Sequence, residues 1–200
     1  VTWGENWAGQ TIVGERNAGF VAVAVGTEHT LALNADGTIS GWGFNNQIYG
    51  PATVPTPDSD FVAIAAGGGW AVLGLGHSLG LKINQTIIGW GSNYVGQTAV
   101  PESENANFVA IAAGAGHSVG LKSDGSIVAW GSNNSGQTGI PEPNSGFTRV
   151  AAGDVHSLGL KGNGSVIAWG SNGAGQTEVP DPNSGFVSSN TSAVCNVAVG

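Results

Sequence analysis

The sequence predicts an all-β chain folded as a β-propeller, or an arc of one, of about five three- to four-stranded antiparallel blades. Three observations predict it. A Trp-Gly pair recurs as Trp3, Trp42, Trp90, Trp130 and Trp169, at intervals of 39, 48, 40 and 39 residues. A Gly-x-x-His element precedes four of these pairs, and His29, His77, His117 and His156 each stand thirteen residues ahead of their Trp. Thirty-five Gly and eight Pro mark many turns, while seven Trp and 40% apolar residues argue for a packed core. A repeat of roughly 40 residues without helical periodicity is the mark of strand meanders stacked radially.

One complete unit, residues 108–146, shows how each element arises. The runs FVAIAAG, HSVGLK and SIVAWGS are rich in β-branched and aliphatic residues and are bounded by Gly, Ser, Asn or Pro, as strands are. The second and third are joined by Ser123-Asp124-Gly125, matched by Ala35-Asp36-Gly37 and Gly162-Asn163-Gly164. Such pairs supply the positive φ angles of a tight hairpin. Each unit is therefore a three-stranded meander followed by a looser crossing segment, GQTxxP. The Trp of the third strand is a large apolar plate, and the Gly after it lets backbones approach closely. One domain, 1–200, is expected from units at 1–19 (partial), 20–60, 61–107, 108–146, 147–185 and 186–200 (partial, degenerate).

The ends and one insertion break the regularity. The last fifteen residues, FVSSNTSAVCNVAVG, hold the Phe-to-His spacing with Cys195 in the His position. Together with Val1–Gly4 they could complete one blade, closing a five-bladed ring and hiding its sheet edges. The alternative is an open arc cut from a larger ring, able to self-associate. In GGGWAVLGLGHSLGL, residues 67–81, His77 comes sixteen residues after Phe61, where the third unit needs nine. Counting back from Trp90 puts His77 in the blade and residues 68–74 in an insertion that carries Trp70. If Trp70 fills the slot instead, His77 is displaced.

Composition narrows the function. Thirteen acids against five bases give a formal charge of −8, too little cationic surface for a nucleic-acid partner. No apolar run reaches the roughly 20 residues of a membrane helix. The lone Cys excludes an internal disulfide, and the absence of Met marks a processed or excerpted chain. No Gly-x-Ser-x-Gly elbow or P-loop is present. The acids Asp58, Asp60, Glu102, Glu104, Glu142 and Asp181 follow the crossing segments and read as solvated loops, without the convergent oxygens that Ca²⁺ requires. Neither a metal nor another cofactor is expected. Asn84, Asn133, Asn163 and Asn190 each head an Asn-x-Ser/Thr triplet, weak support for an extracytoplasmic or secreted protein.

The pattern VAxAAGxxHSxGLKxDGSxxAWGSNxxGQTxxP resembles the regulator of chromosome condensation repeat. Its short form is most similar to that of the β-lactamase inhibitor protein II family, and the resemblance covers roughly residues 1–187. It implies a propeller that binds other proteins through loops on one rim, without catalysis. The implied contact loops are the two residues before each His and the segment after each Trp-Gly. The pre-His pairs here hold no aromatic residue, and the post-Trp segments offer Trp7, Tyr49 and Tyr94. These three and Trp70 are the candidate partner-binding residues, because exposed Trp and Tyr dominate interface energetics. The four His and five Trp-Gly tryptophans are expected to be structural, with a metal-binding ring of His as the competing reading. Three further functions stay open: inhibition of a β-lactamase, a propeller enzyme with an axial metal or carboxylate site, and a structural segment of a larger surface protein.

Overall fold

The computed structural model describes residues 4–13, 18–45, 50–68 and 76–186. Twelve strands form four three-stranded antiparallel sheets among them. The first sheet holds β1 (Phe20–Val25), β2 (His29–Asn34) and β3 (Ile39–Gly43), and the second holds β4 (Phe61–Gly67), β5 (His77–Lys82) and β6 (Ile87–Gly91). The third holds β7 (Phe108–Ala113), β8 (His117–Lys122) and β9 (Ile127–Gly131), and the fourth β10 (Phe147–Ala152), β11 (His156–Lys161) and β12 (Val166–Gly170). Every sheet is an up-and-down meander, with no fourth strand among the described residues. First strands of successive sheets meet (β1 with β4, β4 with β7, β7 with β10), so the sheets converge on them like propeller blades.

The core lies between blades. Ala24, Leu31, Leu33 and Ile39 of the first sheet pack against Phe61, Ile64, Ala66 and Trp90 of the second. The second and third sheets repeat this with Ala65, Leu79, Leu81 and Ile87 against Phe108, Ile111, Ala113 and Trp130. The middle strand is covered on both faces, so HSVGLK is buried at every position up to Lys122 rather than at alternate ones. Each first strand carries a bulge just after its Phe, as between Phe108 and Ala110.

Each hairpin uses one positive φ rather than two. Gly37, Gly125 and Gly164 take φ near +80°, while Asp36, Asp124 and Asn163 before them do not. The side chain of that first residue closes the turn instead: Asp124 Oδ1 accepts from the backbone N–H and the hydroxyl of Ser126, at 2.9 and 2.7 Å. Asn84 and Asn163 make the same pair of bonds to Thr86 and Ser165. Their Asn-x-Ser/Thr triplets are thus turn chemistry shared with Asp124-Gly-Ser126, which accounts for them without glycosylation.

His77 occupies the blade, paired with Gly67 and Gly91 across β5, so the extra residues fall between Gly67 and His77. Trp70 and most of that insertion lie outside the described residues, as do Trp3, Tyr49, Asn190, Cys195 and the closing segments Val1–Trp3 and 187–200. One expectation, that the Trp-Gly tryptophans are core, needs correction. Trp90, Trp130 and Trp169 are buried, but Trp42 is only half-buried because no preceding blade covers it among the described residues. In the second unit the glycine packed on the histidine ring is Gly67, on the far side of the insertion from His77.

Candidate functional site

The histidines and the Trp-Gly loops meet at one rim. The residue before each His accepts a hydrogen bond from the residue after each Trp-Gly: Gly76 from Ser92, Gly116 from Ser132, and Val155 from Ser171. This approach leaves no room for a side chain at Gly131, whose φ is +96° and whose added Cβ would sit 2.7 Å from the Gly116 carbonyl oxygen.

Beneath the rim, each histidine ties its blade to the next. His29 Nε2 lies 2.9 Å from Ser78 Oγ, His77 Nε2 3.0 Å from Ser118 Oγ, and His117 Nε2 2.9 Å from Ser157 Oγ. Each serine hydroxyl donates to a carbonyl of the preceding crossing segment, Pro51, Gln97 or Gln137. The same carbonyl accepts the indole N–H of Trp90, Trp130 or Trp169. The serine proton is thus committed, so the histidine must donate through Nε2–H and carry its lone pair on Nδ1. Burial lowers the imidazole pKa to about 4 for His29, about 3 for His77 and about 4 for His117, with the neighbouring histidines adding repulsion at His77 and His117. The three are neutral structural donors. Their Nδ1 atoms have no partner and face the glycine backbone, and no group of three His, Cys, Asp or Glu among the described residues is placed to hold a metal ion. His156 is half-buried, and no such bond is made by it among the described residues.

Above the latches stands a loop of fixed shape. Asn93 Oδ1 accepts from Thr98 N–H at 3.1 Å, Gln97 Oε1 from Val95 N–H at 3.0 Å, and the Asn93 carbonyl from Gly96 N–H at 3.2 Å. Asn6 and Gln10 make the same three bonds in residues 6–11, and Asn133 with Gln137 and Asn172 with Gln176 repeat them. All these loops push one residue outward at the same register: Trp7, Tyr94, Asn134 and Gly173. Trp7 is 60% exposed and Tyr94 79% exposed, flanked by the exposed Val95 and Ile12. Two of the four candidate partner-binding residues are therefore equivalent positions of one repeated, backbone-locked loop on one rim. Gly68 and Gly76, the described residues on either side of Trp70 in sequence, lie close together at this rim.

Both rims carry acids, and the lysines lie on one of them. Glu5, Asp154 and Glu178 are exposed on the aromatic rim. Lys82, Lys122 and Lys161 lie at the opposite end, each over the Phe that starts its blade and held by crossing-segment carbonyls or by Glu104. Of the acids expected to be solvated loop, Asp58 accepts from Ile39 N–H and Glu104 pairs with Lys122. Sequence reasoning missed Ser78, Ser118 and Ser157 and the carbonyls of Pro51, Gln97 and Gln137, although the recurring His-Ser and Gly-Gln-Thr carried the signal.

The family model for the regulator of chromosome condensation (RCC1) repeat matches residues 20–49, 108–137 and 147–176. No curated protein sequence matches the chain. Among solved structures it is similar to Prp20p from Saccharomyces cerevisiae, described with its binding to Gsp1p and histones, at TM-score 0.60 and 24% identity over 76% of this chain and 45% of that one. The structure of Kap60 bound to yeast RCC1 (Prp20) gives TM-score 0.60 and 25% identity over 76% and 44%. The ectodomain of the Physcomitrella patens receptor kinase CR4 gives TM-score 0.65 and 26% identity over 89% and 48%. The chain spans just under half the length of each.

Proposed function

We propose, for a chain that carries regulator of chromosome condensation repeats on the propeller fold, that it is a non-enzymatic protein-binding module whose partner docks on the rim of Trp7 and Tyr94. One observation carries this reading: both aromatic side chains occupy the same position of a loop whose Asn and Gln side chains hold the backbone rigid. Exposed Trp and Tyr on a pre-organised loop lose little conformational entropy on binding and contribute large contact area. The exposed acids of the same rim favour a neutral or basic partner face. The solved neighbour Prp20p, which shares the fold, is described with its binding to Gsp1p and histones. An extracytoplasmic setting belongs to this reading.

The test is capture of binding proteins on the immobilised chain, class A β-lactamases included among the candidates, compared with the Trp7→Ala and Tyr94→Ala variants. A true partner loses at least about tenfold in affinity for each variant, in line with a Trp or Tyr hot spot, while the melting temperature stays unchanged. Equal binding by wild type and both variants would place the interface elsewhere.

A further inference from the structure

On the lysine rim, away from Trp7 and Tyr94, a cleft of about 420 Å³ opens between the crossing segment that precedes the second sheet and the β5–β6 hairpin. Its walls are Pro55, Pro57, Ile83 and Ile88, and the Phe61 ring also lines it, with the Lys82 ammonium 3.6 Å from the ring centre. A mostly apolar cleft of this size with a few polar groups suits a small molecule, for which pockets run from roughly 300 to 1,000 Å³. Three of its residues set the second unit apart. Thr56 stands where the later units carry Glu102, Glu142 and Asp181, Asp60 where they carry Asn107, Gly146 and Gly185, and Ile83 where the other units carry Ala35, Ser123 and Gly162. Ile83 is 71% exposed.

Two charged side chains line the cleft, and they are of opposite sign: Lys82 and Asp60. Lys82 donates to the Pro57 and Ser59 carbonyls, so one of its three N–H bonds is uncommitted. Asp60 Oδ2 accepts from the Ser59 hydroxyl at 2.9 Å, which leaves the other carboxylate oxygen for a ligand. Neither side chain forms an ion pair among the described residues, and Asp58 beside them is turned to the Ile39 N–H. The third unit shows what this lysine position takes, since Lys122 donates to the Glu104 carboxylate. Among the described residues no side chain plays that part for Lys82.

We propose that this cleft binds a free α-amino acid with an apolar side chain, its carboxylate on Lys82, its ammonium group on Asp60 and its side chain against Pro55, Ile83 and Ile88. The class follows from charge complementarity. A carboxylate without an amine meets Lys82 but is repelled by Asp60, and an amine without a carboxylate meets Asp60 but is repelled by Lys82. A ligand that bears both charges satisfies both side chains through charge-assisted hydrogen bonds. The apolar walls add a contact that glycine does not make. The site stands apart from the rim of Trp7 and Tyr94 and does not depend on a protein partner there.

The test is titration calorimetry of the 200-residue chain with L-phenylalanine, glycine, 3-phenylpropanoate and phenethylamine. L-Phenylalanine is expected to bind saturably at one site. The other three should bind at least about tenfold more weakly, since each lacks one charge-assisted bond or the apolar contact. Asp60→Asn keeps the backbone, because Asn107 takes the same φ of +63° in the third unit. It is expected to erase the preference for L-phenylalanine over 3-phenylpropanoate, as Lys82→Met erases the preference over phenethylamine. If Lys82→Met fails to fold, Asp60→Asn and the three analogues decide alone. Absence of saturable L-phenylalanine binding overturns the proposal. So does an analogue that binds wild type as tightly, or a preference over 3-phenylpropanoate that survives Asp60→Asn.

Discussion

His117 and His156 occupy the same place in the same motif, yet their surroundings give them different weight. His117 is fully buried and donates to Ser157, whereas His156 is half-buried without that partner. His117→Ala removes a hydrogen bond, strips a donor from a buried hydroxyl and leaves a cavity. We expect a loss of about 3 kcal/mol by chemical denaturation. His156→Ala, measured in dilute solution, is expected to cost less than about 1 kcal/mol. Equal losses would show that the Ser contact contributes little. That the four His are structural was readable from their constant distance to Trp, but which atom each one meets was not. The partner lies 40 to 49 residues away on another blade, and no local pattern encodes that separation.

At the scale of the element, side chains shape the turns. The β5–β6 hairpin places Gln85 at φ +66°, where the other three hairpins place Gly. A β-carbon is costly in that left-handed region, so Gln85→Gly is expected to raise stability by up to about 1 kcal/mol, read as a higher melting temperature. An unchanged or lower melting temperature would mean that the Gln85 side chain offsets its backbone strain. Strand positions and turns were legible because alternation, β-branching and Asp-Gly or Asn-Gly pairs act within a few residues. The number of positive φ angles per turn was not, since Asp124 and its equivalents close the turn through their own carboxylate or amide.

For the whole molecule, the row of neutral histidines makes stability depend on acidity. The ordinary value of 6.5 falls to about 4, 3 and 4 at His29, His77 and His117, so the unfolded chain binds protons that the folded one refuses. Stability is complete above pH 6.5 and is lost as pH falls toward 4, by roughly 3 kcal/mol per histidine at the lower end. Thermal unfolding should therefore be flat above neutrality and shift steeply downward between pH 6.5 and 4. A midpoint indifferent to that interval would mean that these imidazoles are not buried as neutral donors.

The sequence by itself determined the repeat unit, its three strands, the turn positions and the displacement of seven residues before His77, because each is written in spacing and local residue chemistry. Only the tertiary structure decided what lies between units. Stacking brings His117 to Ser157 and both to the Gln137 carbonyl. It also puts Trp7 and Tyr94 in equivalent seats on one rim. The physical reason is that a blade buries its faces only against another blade. The partners and exposure of each repeated residue therefore depend on what stands beside its unit, which no pattern inside the unit records.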